Sequence, residues 1–181
     1  VCKSPASYKD FDGESIACAA SYMIPIFWYM LFNPENIVRS STPCDGDDPD
    51  YEYDRLIANK VEAINLAKKR LPIISNVIGF DPSHIFELWV SFVENIDGDY
   101  IYVETCELAM MDDDSVFSRQ ALNCIESFSE SPVVEKGFIL KKKQINPKWA
   151  ELLGQAEINN MNSIESYKLA GYSWGDKVPW E

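Results

Sequence analysis

The sequence has almost no histidine and none of the short motifs that mark common active sites. His84 is the single histidine among 181 residues. No GxSxG, HExxH, Walker-type or GxGxxG pattern occurs, so the best-known hydrolase, metalloprotease and nucleotide-binding sites are not indicated. A lone histidine near the start of a predicted helix most often has a structural or surface role. We therefore predict no catalytic residue. One alternative stays open, a small hydrolase or transferase that uses His84, a cysteine or paired carboxylates.

Cysteine is present but lacks the spacing of a metal site or a disulfide framework. The five cysteines are odd in number and scattered: Cys2, Cys18, Cys44, Cys106 and Cys124. No CxxC occurs, and no pair has the spacing of zinc ligands. A calcium-binding EF-hand loop starting at Asp45 also fails, because Pro49 takes its fifth position and Asp50 takes the place of its invariant glycine. The sequence thus predicts no metal, no cofactor and a reducing, cytoplasmic environment.

Positive charge is scarce. The chain has 16 Lys and Arg residues against 29 Asp and Glu residues, for a net charge of −13. This excess repels phosphate backbones, so nucleic-acid binding would require a concentrated basic face. The basic runs Lys68–Arg70 and Lys141–Lys143 are too short to form one. The charge instead favours a basic protein partner, attracted by electrostatic steering, or it serves only solubility.

No hydrophobic run is convincing as a membrane span. The best candidate, Ile16–Phe32, is at the lower limit of length for crossing a bilayer, and Pro25 interrupts it. No cluster of Lys or Arg flanks this run, and no small-residue cleavage site follows it. We expect no membrane association and predict two buried elements that meet at Pro25.

Asn or Asp followed directly by Pro recurs along the chain and predicts helix starts. The short polar side chain can accept a hydrogen bond from an unpaired backbone N–H, and the proline has a helical φ and no N–H of its own. The pairs are Asn33-Pro34, Asp48-Pro49, Asp81-Pro82 and Asn146-Pro147. We expect a helix to begin at each pair.

The most unusual segment is CDGDDPDYEYD, Cys44–Asp54, in which most residues are Asp or Glu. With Asp48 as the N-cap, these acids fall in or near the first turn of a helix, where the helix dipole favours negative charge. Apolar residues then follow at helical spacing: Tyr53, Ile57, Val61, Ile64, Ala67 and Leu71. The basic residues Lys68–Arg70 stand at the other end. We predict an amphipathic helix of about five turns and attribute most of the acidity to helix initiation.

The remaining elements predict an α+β fold. A helix is expected after Asp81-Pro82, ended by the turn signal Asp97-Gly98, and DYIYVETCEL (99–108) has the Tyr, Ile and Val content of a strand. SPVVEKGFILKKK (131–143) predicts further strand, and Gly171 is placed to stop a last helix. No repeat or Gly/Ser-rich linker divides the chain. We therefore predict one helix-rich domain, residues 1–181, around a small antiparallel sheet, with an aromatic C-terminal tail at 171–181.

Aromatic residues concentrate in two places. PIFWYMLF, residues 25–32, is expected to be buried, because a largely apolar helix belongs in the core. In the tail, Tyr172, Trp174 and Trp180 either staple the chain end to the body or anchor a partner, since Trp and Tyr dominate interface hot spots. The sequence leaves both roles open.

The segment IPIFWYMLF, Ile24–Phe32, also carries a resemblance. With its acidic composition, the chain resembles small, largely uncharacterised bacterial proteins that contain an IPxFWxxLF-type segment. Some proteins of that kind are immunity partners of polymorphic toxins, so the resemblance implies a protein-binding role. It transfers no functional residue.

The leading hypothesis is a non-enzymatic acidic protein-binding domain, such as an immunity protein that neutralises a basic toxin. Toxin nucleases are basic where they hold nucleic acid, so an acidic blocker competes for the same field. The predicted partner-binding residues are Asp45, Asp47, Asp112 and Asp113, with Trp174 or Trp180 as an anchor. A scaffold or regulatory domain whose acidity only provides solubility is a further hypothesis.

Overall fold

The computed structural model describes residues 18, 24–40, 53–78, 80–105, 108–109, 119, 121–122, 125, 128, 166–172 and 178–180. Its elements, in chain order, are helix α1 (Ile26–Tyr29), strand β1 (Ile37–Ser40), strand β2 (Tyr53–Asn59), helix α2 (Lys60–Ile78), helix α3 (Ser83–Asn95), strand β3 (Tyr100–Val103) and helix α4 (Ser166–Ala170). These helices and the antiparallel sheet confirm the predicted helix-rich α+β class. The prediction of a single domain over residues 1–181 stays a prediction.

The sheet has the order β1-β2-β3, with β2 in the centre and both pairs antiparallel. Ser40 pairs with Tyr53 at one end of the sheet, and Asn59 pairs with Tyr100 at the other. Side chains alternate between the two faces of a strand. Leu56 and Ala58 belong to the main core, whereas Tyr53, Arg55 and Ile57 lie on the opposite face and are also buried. The central strand is therefore covered on both faces.

The main core is built on the apolar segment Ile24–Phe32, which is buried throughout. Helix α1 begins directly after Pro25, as expected for an element that starts at this proline. Phe27 packs edge-on against Phe86 of α3, with ring centroids 5.2 Å apart, and Trp28 packs edge-on against Trp89 at 5.5 Å. Such aromatic pairs add to the free energy gained by burying their surfaces. Among the described residues, no helix combines the length and apolar character needed to span a bilayer.

The predicted helix over the acidic stretch is wrong between residues 53 and 59. These residues form β2, and α2 begins only at Lys60. The side chain of Asn59 is the true cap, because its Oδ1 accepts hydrogen bonds from the N–H groups of Val61 (3.1 Å) and Glu62 (3.2 Å). Val61, expected on the buried stripe, is 65% exposed. The stripe that α2 buries is instead Ala63, Ile64, Ala67, Arg70, Ile74 and Ile78.

The other Asx-Pro pairs gave mixed outcomes. Asn33-Pro34 opens only a single 3₁₀ turn, Pro34–Asn36. Asp81-Pro82 does precede a helix, α3, and the Asp81 carboxylate accepts a hydrogen bond from Ser83 N at 3.0 Å. That bond and a second from the Ser83 hydroxyl lower the pKa of Asp81. Asn146-Pro147, like the predicted strand at 131–143, lies outside the described residues.

Glycines end two of the helical regions as predicted. Gly98, in the turn between α3 and β3, has a φ of 118°, and Gly171, directly after α4, has a φ of 88°. Both values lie in the region that side chains with a Cβ avoid. In contrast, α2 does not end near Leu71 but continues through Pro72 to Ile78.

Candidate functional site

The candidate site is the end of the sheet where the acidic parts of the sequence join the described body. Ser40 and Tyr53 pair directly across β1 and β2, so the connection formed by residues 41–52 leaves and returns at this end. Thr105, just beyond β3, lies here too, because its hydroxyl donates a hydrogen bond to the carbonyl oxygen of Asp54. The chain that continues toward Asp112 therefore departs from the same end. We call Tyr53, Arg55, Glu104 and Thr105 the strand-end cluster.

Arg55 is the centre of the strand-end cluster. Its side chain is buried, and its Nε donates to the Tyr53 hydroxyl oxygen at 2.9 Å, while its Nη2 donates to the same oxygen. Nη2 also lies 3.2 Å from Oε2 of Glu104. The guanidinium carbon is 4.8 Å from the centroid of the Tyr53 ring, within the range of a cation–π contact. These contacts compensate a buried charge and tie β2 to the residues that follow β3.

Tyr53 supplies no reactive group at neutral pH. Burial raises the pKa of Tyr53 to about 12, an effect that Glu104 reinforces and the hydrogen bond from Arg55 opposes. The phenol therefore stays protonated, and a general base needs a pKa near the working pH. The carboxylate of Glu104 is itself bound, because its Oε1 accepts a hydrogen bond from Thr105 N at 3.0 Å. The cluster is built to hold strand ends together.

Asp54 is the one carboxylate of the Cys44–Asp54 segment that lies among the described residues. It pairs with Arg39, directly opposite on β1, with Arg39 Nη1 and Asp54 Oδ1 separated by 3.4 Å. Opposite charges across a strand pair stabilise a sheet by about 0.2–1 kcal/mol. Asp54 therefore serves strand pairing and takes no part in starting a helix.

Charge is divided unevenly between the described residues and the rest of the sequence. The described residues contain nine Asp and Glu residues and eight Lys and Arg residues, whereas the whole chain has 29 and 16, respectively. The acidic excess therefore comes almost entirely from the other parts of the sequence. Those parts include the 41–52 connection and Asp112–Asp114.

Most of the predicted partner-binding residues fall in those parts. Asp45, Asp47, Asp112, Asp113 and Trp174 lie outside the described residues, so their binding role stays a prediction.

Trp180 is described, and it is a packing residue. It is only 7% exposed and its ring packs edge-on against Phe92, with centroids 5.3 Å apart. Its Nε1 donates a 2.7 Å hydrogen bond to the carbonyl oxygen of Gly171. Of the two roles considered for the aromatic tail, Trp180 thus takes the staple, and its ring is not available as an exposed anchor.

The histidine-based alternative finds no support. His84 is exposed in the first turn of α3, and none of the hydrogen bonds or ion pairs found among the described residues involves it. No group of three His, Cys, Asp or Glu side chains within the described ranges could hold a metal ion. Nothing in this part of the chain favours a hydrolase or a transferase.

Sequence reasoning missed the role of Arg70. This side chain is 2% exposed, and its Nη1 donates to the carbonyl oxygens of Met30 (3.0 Å) and Phe32 (2.6 Å). Its Nη2 donates to Oδ1 of Asn33 at 2.7 Å. Burial lowers the pKa of Arg70 to about 10, and the charge of Glu35 opposes that shift, so the side chain remains a cation at neutral pH. Its helical spacing from Ala67 and Ile74 was the available signal.

A second missed feature is the pair of tryptophans at the end of α4. Trp28 Nε1 donates to the carbonyl oxygen of Ala170 at 2.8 Å, and Trp180 donates to that of the next residue, Gly171. Carbonyl groups at a helix end have no partner within the helix. The two indoles therefore supply donors that α4 itself cannot provide.

Comparisons with protein families, with curated proteins and with solved structures found no match to this chain.

Proposed function

We propose that this protein is a non-enzymatic binding protein whose acidic segments bind a basic protein partner, with a toxin domain as the leading candidate for that partner. The observation that carries the proposal is the division of charge. The described residues are nearly neutral, whereas the chain as a whole carries −13. If acidity served only general solubility, there would be no reason for it to collect in particular segments.

The polar groups buried in the body support this proposal because they are used for structure. The buried polar and charged side chains among the described residues are Arg55, Arg70 and Thr105. Each is hydrogen-bonded to another part of the same chain. A catalytic site needs titratable groups that converge on a place where substrate can bind. These three groups converge instead on backbone carbonyls and neighbouring side chains.

The attachment of the acidic segments also suits a binding role. The 41–52 connection and the chain toward Asp112 both leave the sheet at the strand-end cluster, so their charges are tethered to one end of the body. Charges gathered in this way raise the rate at which an oppositely charged protein is captured. A basic nuclease toxin is a suitable target, because the surface with which it holds phosphates would attract these carboxylates.

The first experiment is to isolate the protein from its native cell at low ionic strength and identify the polypeptides that accompany it. We expect a basic polypeptide that stops growth when expressed alone and is harmless when co-expressed with this protein. Recovery of the protein without a basic partner, or with a partner whose toxicity it leaves unchanged, would contradict the immunity role.

The acidic residues can then be tested with charge-matched variants. We expect Asp45→Asn/Asp47→Asn and Asp112→Asn/Asp113→Asn each to weaken binding to the isolated partner by about tenfold, about 1.4 kcal/mol, mostly through slower association. The control is Glu87→Gln/Asp99→Asn, which removes the same charge from exposed positions on α3 and at the opposite end of the sheet. Binding is measured by surface plasmon resonance. Equal losses in all three variants would show that net charge alone matters and that the segments have no special role.

A further inference from the structure

We draw no further inference here: the strongest candidate, the sheet face formed by Tyr53, Arg55 and Ile57 opposite the main core, is buried, but nothing in the described part of the structure shows what covers it.

Discussion

At the scale of single residues, the molecule depends on two buried arginines. Taking a cation out of water costs several kcal/mol unless hydrogen bonds and nearby charges compensate it. Arg55 and Arg70 meet that requirement differently. Arg55 donates to a phenol and lies beside a carboxylate, whereas Arg70 donates to two carbonyl groups and an amide oxygen. In both cases the forked guanidinium reaches several acceptors at once, which the single ammonium group of lysine cannot do.

Replacing Arg70 should be costly, because the carbonyl groups after α1 would lose their donors inside the core. We expect Arg70→Met to lower the free energy of unfolding by about 2–4 kcal/mol, as measured by urea denaturation. The neighbouring variant Lys69→Met is the control, since Lys69 is exposed on the same helix, and we expect it to change stability by less than about 0.5 kcal/mol. Similar stabilities for the two variants would show that the contacts of Arg70 contribute nothing net.

Tyr53 should give the protein a specific sensitivity to alkaline pH. Its pKa is about 12 in the folded protein and 10.0 for an unperturbed tyrosine, so the unfolded chain loses this proton first as pH rises. The stability contributed by the protonated phenol is complete below about pH 10 and is lost as the pH approaches about 12, a decrease on the order of 2 kcal/mol.

The test is to compare the pH dependence of unfolding in the wild type and in Tyr53→Phe. We expect the variant to be less stable at neutral pH, because Arg55 loses an acceptor, but to lose less stability between about pH 9 and about pH 12. The free energy of unfolding at each pH comes from urea titrations. Parallel curves for the two proteins would mean that the phenol ionises equally easily in the folded and unfolded states.

At the scale of elements, β2 and α2 show where sequence patterns succeed and where they fail. Tyr53 and Ile57 are four residues apart, a spacing that places two side chains on one face of a helix but also on one face of a strand. The apolar pattern therefore fits both structures up to residue 59. The better guide was Asn59 followed by Glu62, which has the spacing of a capping box and lies next to the true helix start.

The start of α2 can be tested by removing its cap. We expect Asn59→Ala to lower the free energy of unfolding by about 1 kcal/mol, because the N–H groups of Val61 and Glu62 lose their acceptor. Asn65→Ala, at an exposed position within α2, should be neutral or slightly stabilising, since alanine favours helix. Asp48→Ala should leave stability nearly unchanged. A large loss for Asp48→Ala and none for Asn59→Ala would restore the helix start first predicted from the sequence. Urea denaturation of the three variants decides between these outcomes.

Other parts of the fold could be predicted because their signals are local. Pro25 and Asp81-Pro82 precede helices, and Gly171 follows one, since each residue type imposes its own backbone geometry. The roles of Arg70 and Trp180 depend on partners distant in sequence. Arg70 binds groups around residue 30, and Trp180 packs on Phe92. Periodicity can mark such positions as buried, but it cannot name the partner, so Arg70 was assigned to a helix end and Trp180 was left between two roles.

At the scale of the whole molecule, the distribution of charge is the feature that bears most directly on function. In the described body, opposite charges meet in exposed pairs such as Lys68 and Glu94, with Nζ and Oε1 separated by 2.8 Å. Exposed pairs of this kind contribute little to stability, about 0–1 kcal/mol. The unbalanced carboxylates lie elsewhere in the sequence, in segments that the fold of the body does not require for its described contacts. Their charge is therefore available for an interaction with another molecule.

This distribution predicts a salt dependence that separates partner binding from solubility. Raising the salt concentration from about 0.05 M to about 0.5 M shortens the range of electrostatic attraction severalfold, so we expect affinity for the isolated basic partner to fall, chiefly through slower association. In Asp45→Asn/Asp47→Asn the plot of log affinity against log salt should be shallower than in the wild type, because fewer charges take part. The variant Glu87→Gln/Asp99→Asn, which removes the same charge at a distance from the strand-end cluster, should keep the wild-type slope. Association rates and affinities are measured by surface plasmon resonance across the salt series. Identical slopes in all three proteins would assign the acidity to solubility, whereas binding that salt does not weaken would exclude electrostatic attraction as the basis of recognition.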